Sequence, residues 1–406
     1  MDVKEAYKQV EGEFIPEDWE LKRLGEICTP SNNRINPLTS TVNYKCVELE
    51  HISQETGRLL GYTDSKLLKS QKTLFEKNDV LFGKLRPYLK KYLLAEFDGV
   101  CTSEIWVLKT KNEFDSKWLY YQMQSNKVIN IANQSTGTKM PRAEWKTVEE
   151  TLIPTPSSKI EQVSIAAALS DIDNLIQSIE KLIDKKRGIK QGTLQELLKP
   201  NDNWAIKKLG EIGECIRGVS YNGDSDLYQD DTWNSVRLFR SNNIQKSTID
   251  YNNLQFVKNT RVKEKQILQA GDILICMANG SKELVGKSAF YLPEDNLNYT
   301  FGAFMGSFRI FDQDTDKRFI FYNFQTYSYR SFIDILLSGS SINNLKPSDI
   351  ESIEIGYPSK TEQIRIATIL FDMDKEIVAL ENKLSKYKQI KQGMMQNLLT
   401  GRIRLV

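Results

Sequence analysis

The feature that most limits how this chain can fold is an internal repeat. Residues 161–198 (EQVSIAAALSDIDNLIQSIEKLIDKKRGIKQGTLQELL) align without gaps on residues 362–399 (EQIRIATILFDMDKEIVALENKLSKYKQIKQGMMQNLL), 201 positions later, with 17 of 38 residues identical. Weaker matches continue upstream in the same order. Trp19-Glu-Leu-Lys-Arg-Leu-Gly-Glu-Ile answers to Trp204-Ala-Ile-Lys-Lys-Leu-Gly-Glu-Ile, and Asp79-Val-Leu-Phe to Asp272-Ile-Leu-Ile. Ile153-Pro-Thr-Pro leads into the first repeated segment as Ile355-Gly-Tyr-Pro leads into the second. The chain is one module written twice, each copy a divergent segment followed by a similar helix.

The two repeated segments carry the same heptad. Ile165, Leu169, Ile172, Ile176, Ile179 and Ile183 follow alternating steps of four and three, as do Ile366, Leu370, Met373, Ile377, Leu380, Leu384 and Tyr387. An apolar repeat of 3.5 residues makes a narrow coiled-coil seam, so the pattern predicts two helices, each about 57 Å long, that pair with each other. Modules related by a pseudo-two-fold axis would present them antiparallel. Pro154, Pro156 and Pro358 mark where each helix starts, because the residue before proline resists helical dihedrals. The plainer alternative is two helices that each lie on their own domain. Asp171/Asp173 and Asp372/Asp374, two residues apart, point in different directions and read as solvated helix face.

The divergent segments read as strand-rich mixed α/β domains. Short apolar runs at Asp79–Phe82, Ile105–Leu108, Asp272–Met277 and Gly306–Phe311 suit strands, and Trp118–Ile131 and Phe319–Leu337 have helical spacing. The expected fold is therefore mixed α+β, with two such domains in pseudo-two-fold arrangement separated by an antiparallel coiled coil. The expected boundaries are an N-terminal extension at 1–17, domains at 18–157 and 201–359, and helical regions at 158–200 and 360–406.

Composition narrows the function. A formal net charge of +2 does not by itself point to nucleic acid, so any DNA-binding charge must be local or shared with partners. Five scattered cysteines without a Cys-x-x-Cys pair suit reduced thiols in a cytoplasmic protein, and with His51 the only histidine a zinc site is not expected. The segment from Met1 to Lys8 has no apolar core, so no secretory leader is expected there, and no run is apolar enough for a membrane span. Gly280-Ser-Lys-Glu-Leu-Val-Gly-Lys-Ser has five residues between its glycines where a P-loop needs four, and a strand rather than a helix should follow. Neither a Gly-x-Gly-x-x-Gly nor the Asn/Asp-Pro-Pro-aromatic tetrapeptide of DNA amino-methyltransferases occurs. No catalytic residues and no cofactor of this chain's own are expected.

What the loops do offer is basic and amide side chains close together. Lys and Arg neutralise phosphates, while Arg, Asn, Ser and Thr read base edges. On that chemistry the candidate phosphate or groove contacts are Lys84, Arg86, Lys90 and Lys139 in the first domain and Arg240, Lys282 and Lys287 in the second. The candidate base readers are Thr138, Arg142, Asn279, Ser281 and Asn343. Any solvated loop contains such residues; their recurrence at equivalent places in both halves is what singles these out.

The whole chain resembles the specificity subunits of Type I restriction–modification systems. The resemblance rests on Ile15-Pro-Glu-Asp-Trp19 with Leu24-Gly-Glu-Ile27, the Glu-Gln-x-x-Ile-Ala-x-x-Leu openings at Glu161 and Glu362, and the Ile-Lys-Gln-Gly runs at Ile189 and Ile390. Gly83–Tyr88 and Ser135–Trp145 also look like common elements of target recognition domains. The resemblance implies that each domain reads half of a bipartite, asymmetric site on double-stranded DNA, and that the helices fix the gap between halves and dock two methyltransferase subunits. Those partners would supply S-adenosylmethionine-dependent adenine methylation, and restriction subunits using ATP and magnesium are admitted without being required. The rival readings are a coiled-coil protein–protein adaptor without DNA specificity, and an enzyme using the Gly286-Lys-Ser288 region on a nucleotide.

Overall fold

The computed structural model describes residues 7–134, 140–339 and 343–405. Its contacts divide the chain into two units, Met1–Glu180 with Asn382–Val406, and Lys181–Glu381. Two helices, Lys159–Leu197 and Lys360–Leu398, run from one unit into the other. Within each unit the two helix segments are antiparallel. In the first unit Lys391 pairs with Asp173 at 2.7 Å and Lys388 with Glu180 at 2.9 Å. In the second, Lys190 pairs with Asp374 at 2.6 Å and Lys186 with Glu376 at 2.7 Å.

The seam is used differently along its length. Ile165 and Leu169 join the core of the first unit beside Trp118 and Leu398, and Ile366 and Leu370 join that of the second beside Phe319 and Leu194. Ile172, Ile176, Ile179, Ile183 and Ile377 are buried, whereas Met373, Leu380 and Leu384 are only half-buried. The first two seam positions of each helix thus serve its domain core. Each such fully buried Leu or Ile contributes roughly 1.5–3 kcal/mol. Asp171 and Asp372 are exposed as expected, but Asp173 and Asp374 are not simply solvated: besides their lysines they accept hydrogen bonds from Tyr121 and Tyr322.

In the first unit an antiparallel sheet runs in the order Tyr92–Leu94, Val80–Gly83, Ile105–Thr110, Cys28–Pro30. A second sheet, in the order Arg34–Ile35, Lys72–Phe75, Gly99–Cys101, Lys45–Val47, Thr63–Asp64, contains one parallel pair, Gly99–Cys101 with Lys45–Val47. The second unit repeats the antiparallel sheet as Ser288–Phe290, Ile273–Cys276, Met305–Ile310, Gly213–Arg217. Its other sheet is Leu227–Tyr228, Gln255–Lys258, Ser235–Phe239, Tyr299–Phe301, the last pair parallel. The strand expected after the Gly280 loop is Ser288–Phe290. Residues 7–16 form a hairpin of Tyr7–Val10 and Glu13–Pro16.

The repeated motifs have a structural reason in both places. Strand Glu20–Arg23 pairs with Leu152–Thr155, and Ala205–Lys208 with Glu354–Tyr357. A Cβ on Gly25 would lie 3.1 Å from Glu149 Cβ, and one on Gly210 3.1 Å from Glu351 Cβ, so the glycine of Leu-Gly-Glu-Ile allows that close approach. Glu26 and Glu211 then accept the backbone N–H of Arg23 and Lys208 at 2.6 and 2.7 Å. The aspartates before the central strands act alike: Asp79 accepts the N–H of Glu76 and pairs with Lys109, while Asp272 accepts that of Gln269 and pairs with Arg309.

Each region of helical spacing is two helices, not one. Ser116–Gln122 gives way to Asn126–Ala132, and Lys317–Asn323 to Tyr327–Ser338. Ser125 and Thr326 cap the second helix of each pair, their hydroxyls accepting the N–H groups of Val128 and Tyr329.

Candidate functional site

The strand Val80–Gly83 is buried along its whole length and delivers the chain to an irregular turn at Lys84. That turn pairs with residues 141–143. Leu85 bridges Arg142, the Arg86 N–H donates to the Pro141 carbonyl at 2.8 Å, and the Ala143 N–H donates to Lys84 at 2.8 Å. The second unit repeats the arrangement after Ile273–Cys276. Ala278 bridges Asn344, the Leu345 N–H donates to Met277 at 2.7 Å, and the Asn279 N–H to Asn343 at 3.3 Å. In each unit two loops named separately from sequence are therefore one surface. Lys84, Arg86 and Arg142 share it in the first unit, and Asn279 and Asn343 share it in the second.

Arg86 and Lys90 have φ of +52° and +49° and flank the turn Pro87–Leu89. Left-handed dihedrals cost a non-glycine residue on the order of 1 kcal/mol, so the turn holds these cations in place against a local preference. Lys90 pairs with Glu55 at 2.9 Å, and Arg142 meets Glu104 in a two-point contact at 3.0 and 3.2 Å that holds its guanidinium pKa above the ordinary value. Thr138 and Lys139 lie outside the described residues.

In the second unit Asn279 donates to the Ser241 hydroxyl at 3.2 Å and accepts the N–H of Ser281 at 3.0 Å, which brings the segment at Arg240 to the same place. Asn343 donates to the Gly280 carbonyl at 3.2 Å. Lys282 is exposed beyond it. Lys287 points elsewhere: it donates to the Ile244 carbonyl at 3.0 Å, and burial lowers its pKa. Arg217, which loop chemistry did not single out, belongs here, because its guanidinium donates to Asn344 at 2.6 Å. Its only sequence signal was an arginine at the end of the strand opened by the repeated Leu-Gly-Glu-Ile.

Three arginines at these surfaces, Arg86, Arg217 and Arg240, each keep a buried guanidinium N–H with no acceptor among the described residues. A buried donor left unpaired costs about 1–3 kcal/mol, which an incoming acceptor can recover. Among the described residues these surfaces hold cationic donors and amides. Burial pushes the Cys28 and Cys215 thiols up to about 12 and the Cys46 thiol up to about 11. His51 accepts the Glu48 N–H on Nδ1 at 3.1 Å, a local structural bond. Among the described residues no helix is long and apolar enough to cross a membrane.

A family model described as the Type I restriction modification DNA specificity domain matches residues 16–186 and again residues 201–392. The Type I restriction enzyme StySPI specificity subunit of Salmonella potsdam is 34% identical over 206 residues, 49% of this chain and 43% of that one. The EcoKI specificity subunit of Escherichia coli is 33% identical over 213 residues, 50% of this chain and 44% of its own. Those two matches span less than half of the relatives' length. The MjaVIII specificity subunit of Methanocaldococcus jannaschii is 24% identical across 99% of this chain and 97% of that subunit. A chain from a solved structure concerning complex assembly of the type I R-M system shares the fold at a TM-score of 0.63 and 20% identity, over 96% of this chain and 99% of that one. The Type-I restriction-modification system S subunit from M. genitalium does so at 0.59 and 16%, over 97% and 98%.

Proposed function

Because the chain belongs to the family of Type I restriction–modification DNA specificity subunits, we propose that it reads a bipartite, asymmetric site on double-stranded DNA, one half with each unit. The observation that carries this reading is the same two-loop surface built twice, with different side chains on it. Lys84, Arg86 and Arg142 give the first unit cations, while Asn279, Asn343 and Arg217 give the second a mixture of amides and a guanidinium. Amides and guanidinium groups make two-point contacts to adenine and guanine in the major groove. The guanidinium N–H groups of Arg86, Arg217 and Arg240 that lack an acceptor among the described residues suit phosphate or base acceptors.

The subunit is non-catalytic in this reading. It positions two copies of a methyltransferase subunit that uses S-adenosylmethionine to methylate adenine, in the cytoplasm, and restriction subunits using ATP and magnesium add cleavage where they are present. The near-neutral charge fits partners that close around the duplex and add phosphate contacts of their own.

The experiment is to co-express the chain with its methyltransferase and map modified adenines across a genome. A two-part motif with an unspecified gap is expected; a contiguous motif, or none with an active partner, overturns the proposal. Arg86→Ala should relax or weaken only one half-motif and Asn279→Ala only the other, each by about 1–3 kcal/mol in binding to the matching duplex.

A further inference from the structure

One four-residue network occurs in both units with the same chemistry and geometry. In the first, the buried Tyr121 hydroxyl donates to Asp173 Oδ2 at 2.9 Å, and Lys391 Nζ lies 2.7 Å from Asp173 Oδ1. The same ammonium donates to Gln124 at 3.3 Å and sits 5.7 Å from the Tyr121 ring centroid. In the second, Tyr322 donates to Asp374 Oδ2 at 2.8 Å, Lys190 lies 2.6 Å from Asp374 Oδ1 and donates to Gln325 at 3.2 Å, and the ring centroid is 5.5 Å away. Tyr121 and Gln124 belong to the reading domain, Asp173 to the first long helix and Lys391 to the second. In the other copy the two helices exchange roles.

The network joins three elements at one place, with both lysines well buried at 14% and 15% side-chain exposure. An apolar heptad seam is non-directional and tolerates small changes of tilt and register, whereas a buried polar group specifies one arrangement, since any other leaves it unpaired. Tilting the domain on its helix pair would break the Tyr121 bond to Asp173 and the Lys391 bond to Gln124 together, as it would those of Tyr322 and Gln325 in the other copy. We infer that Lys391 with Asp173, and Lys190 with Asp374, are positioning residues that fix each reading domain on its two helix segments and thereby restrict the gap accepted between the half-sites. The inference rests on the bipartite reading proposed above.

The test uses the complex with its methyltransferase and three duplexes carrying both cognate half-sites, with the natural gap and with one base pair more or less. Wild type should prefer the natural gap, and Lys391→Met should reduce that preference by about fivefold while both half-motifs stay as they were. Lys190→Met, in the mirrored network, should do the same, and Lys391→Arg should retain most of the preference. An unchanged preference in both methionine variants overturns the inference. So does an equal loss of affinity on all three duplexes, which would mean the network only holds the fold together. Absence of any two-part motif for wild type is a different failure, that of the proposed function itself. Thermal melting of each variant shows whether it is folded.

Discussion

In the first unit Asp115 caps a helix and donates its own N–H to Gln162 at 2.9 Å, and Gln162 in turn donates to the Pro156 carbonyl. In the second, Asp316, Gln363 and Pro358 do the same, again with 2.9 Å for the first bond. Lys159 reaches the Asn112 carbonyl as Lys360 reaches that of Gln313, both at 2.7 Å. The edges of the sheet that holds the parallel pair, by contrast, have been rebuilt. In the first unit Lys72–Phe75 pairs with Gly99–Cys101 and Arg34–Ile35 extends that edge, whereas in the second the same edge has a bond from the Leu268 N–H to Tyr299, and Leu227–Tyr228 extends the opposite edge beside Gln255–Lys258. The difference teaches which parts are scaffold: bonds from domain to helix are kept, and the sheet away from the helices is free to change.

The largest departure from that symmetry is at the chain ends. Arg404 bonds both oxygens of Glu161, at 2.9 and 2.8 Å, and Asp18 as well, while Glu161, 2% exposed, also accepts the Trp19 indole N–H. Its counterpart Glu362, among the described residues, pairs with Arg365 on its own helix and is partly exposed. Removing one partner of a buried ion pair strands the other, so Arg404→Ala should destabilise the first unit by about 3 kcal/mol. Glu362→Ala should cost the second no more than about 0.5 kcal/mol. Denaturant unfolding, with hydrogen exchange to assign the loss to a unit, checks both; equal effects would mean that the end clasp adds nothing to the shared scaffold.

A smaller contrast concerns the aspartates before the central strands. Asp272 and Arg309 have side-chain exposures of 2% and 14%, and Arg309 also donates to the carbonyls of Lys265 and Ile267. The equivalent Lys109 is far more exposed and meets Asp79 and Glu76. Arg309→Met should therefore cost about 2–3 kcal/mol and Lys109→Met under about 1 kcal/mol in the same unfolding measurement.

How much of this was legible in the sequence follows from the range of each interaction. The long helices declared themselves because a heptad is local and was written twice, and strands such as Val80–Gly83 because short buried runs are bounded by polar residues. The sheets with the parallel pair did not, since strands of two to five residues with partners tens of positions away leave no periodicity to count. The candidate site was half legible. Arg86 and Asn279 were named on loop chemistry, but that chemistry could not show that Leu85 bridges Arg142, that Glu104 engages Arg142, or that Lys287 turns to the Ile244 carbonyl. Each depends on a residue far along the chain. Arg404 reaching Glu161 is the extreme case.

Where the units agree, two glycines invite a test of the opposite sign. Gly192 and Gly393 occupy the repeated Ile-Lys-Gln-Gly runs inside the long helices, and a Cβ at either would meet nothing within 4 Å. Alanine is favoured over glycine in a helix interior by up to about 1 kcal/mol, so Gly192→Ala and Gly393→Ala should each raise stability by roughly that amount. Stability that rises while methylation falls would show that the open face must stay bare for a partner; equal effects at both sites would extend the symmetry to that face.

The smallest expected effect is a pH dependence at Glu180, whose equivalent in the second helix is Glu381. Burial alone would raise the pKa of Glu180, but hydrogen bonds and charge from Lys388 and Arg58 outweigh it and hold the carboxyl below its ordinary value. Arg58, a residue of the reading domain, lies 2.5 Å from Glu180. In the second unit Glu381 meets Arg187 on the other helix, and the domain's described residues contribute the exposed Lys246 at 3.7 Å. A carboxyl with a lowered folded-state pKa contributes stability above its unfolded value, near 4.5, and loses it as pH falls through the folded value. The stability difference between wild type and Glu180→Gln should therefore be full at neutral pH and shrink steadily below about pH 4.5. At neutral pH Glu381→Gln should cost less than Glu180→Gln, because an exposed ammonium 3.7 Å away is screened by water. If the two substitutions cost the same at neutral pH, the tighter grip of Arg58 confers nothing, and the two domains are held to their helices equally.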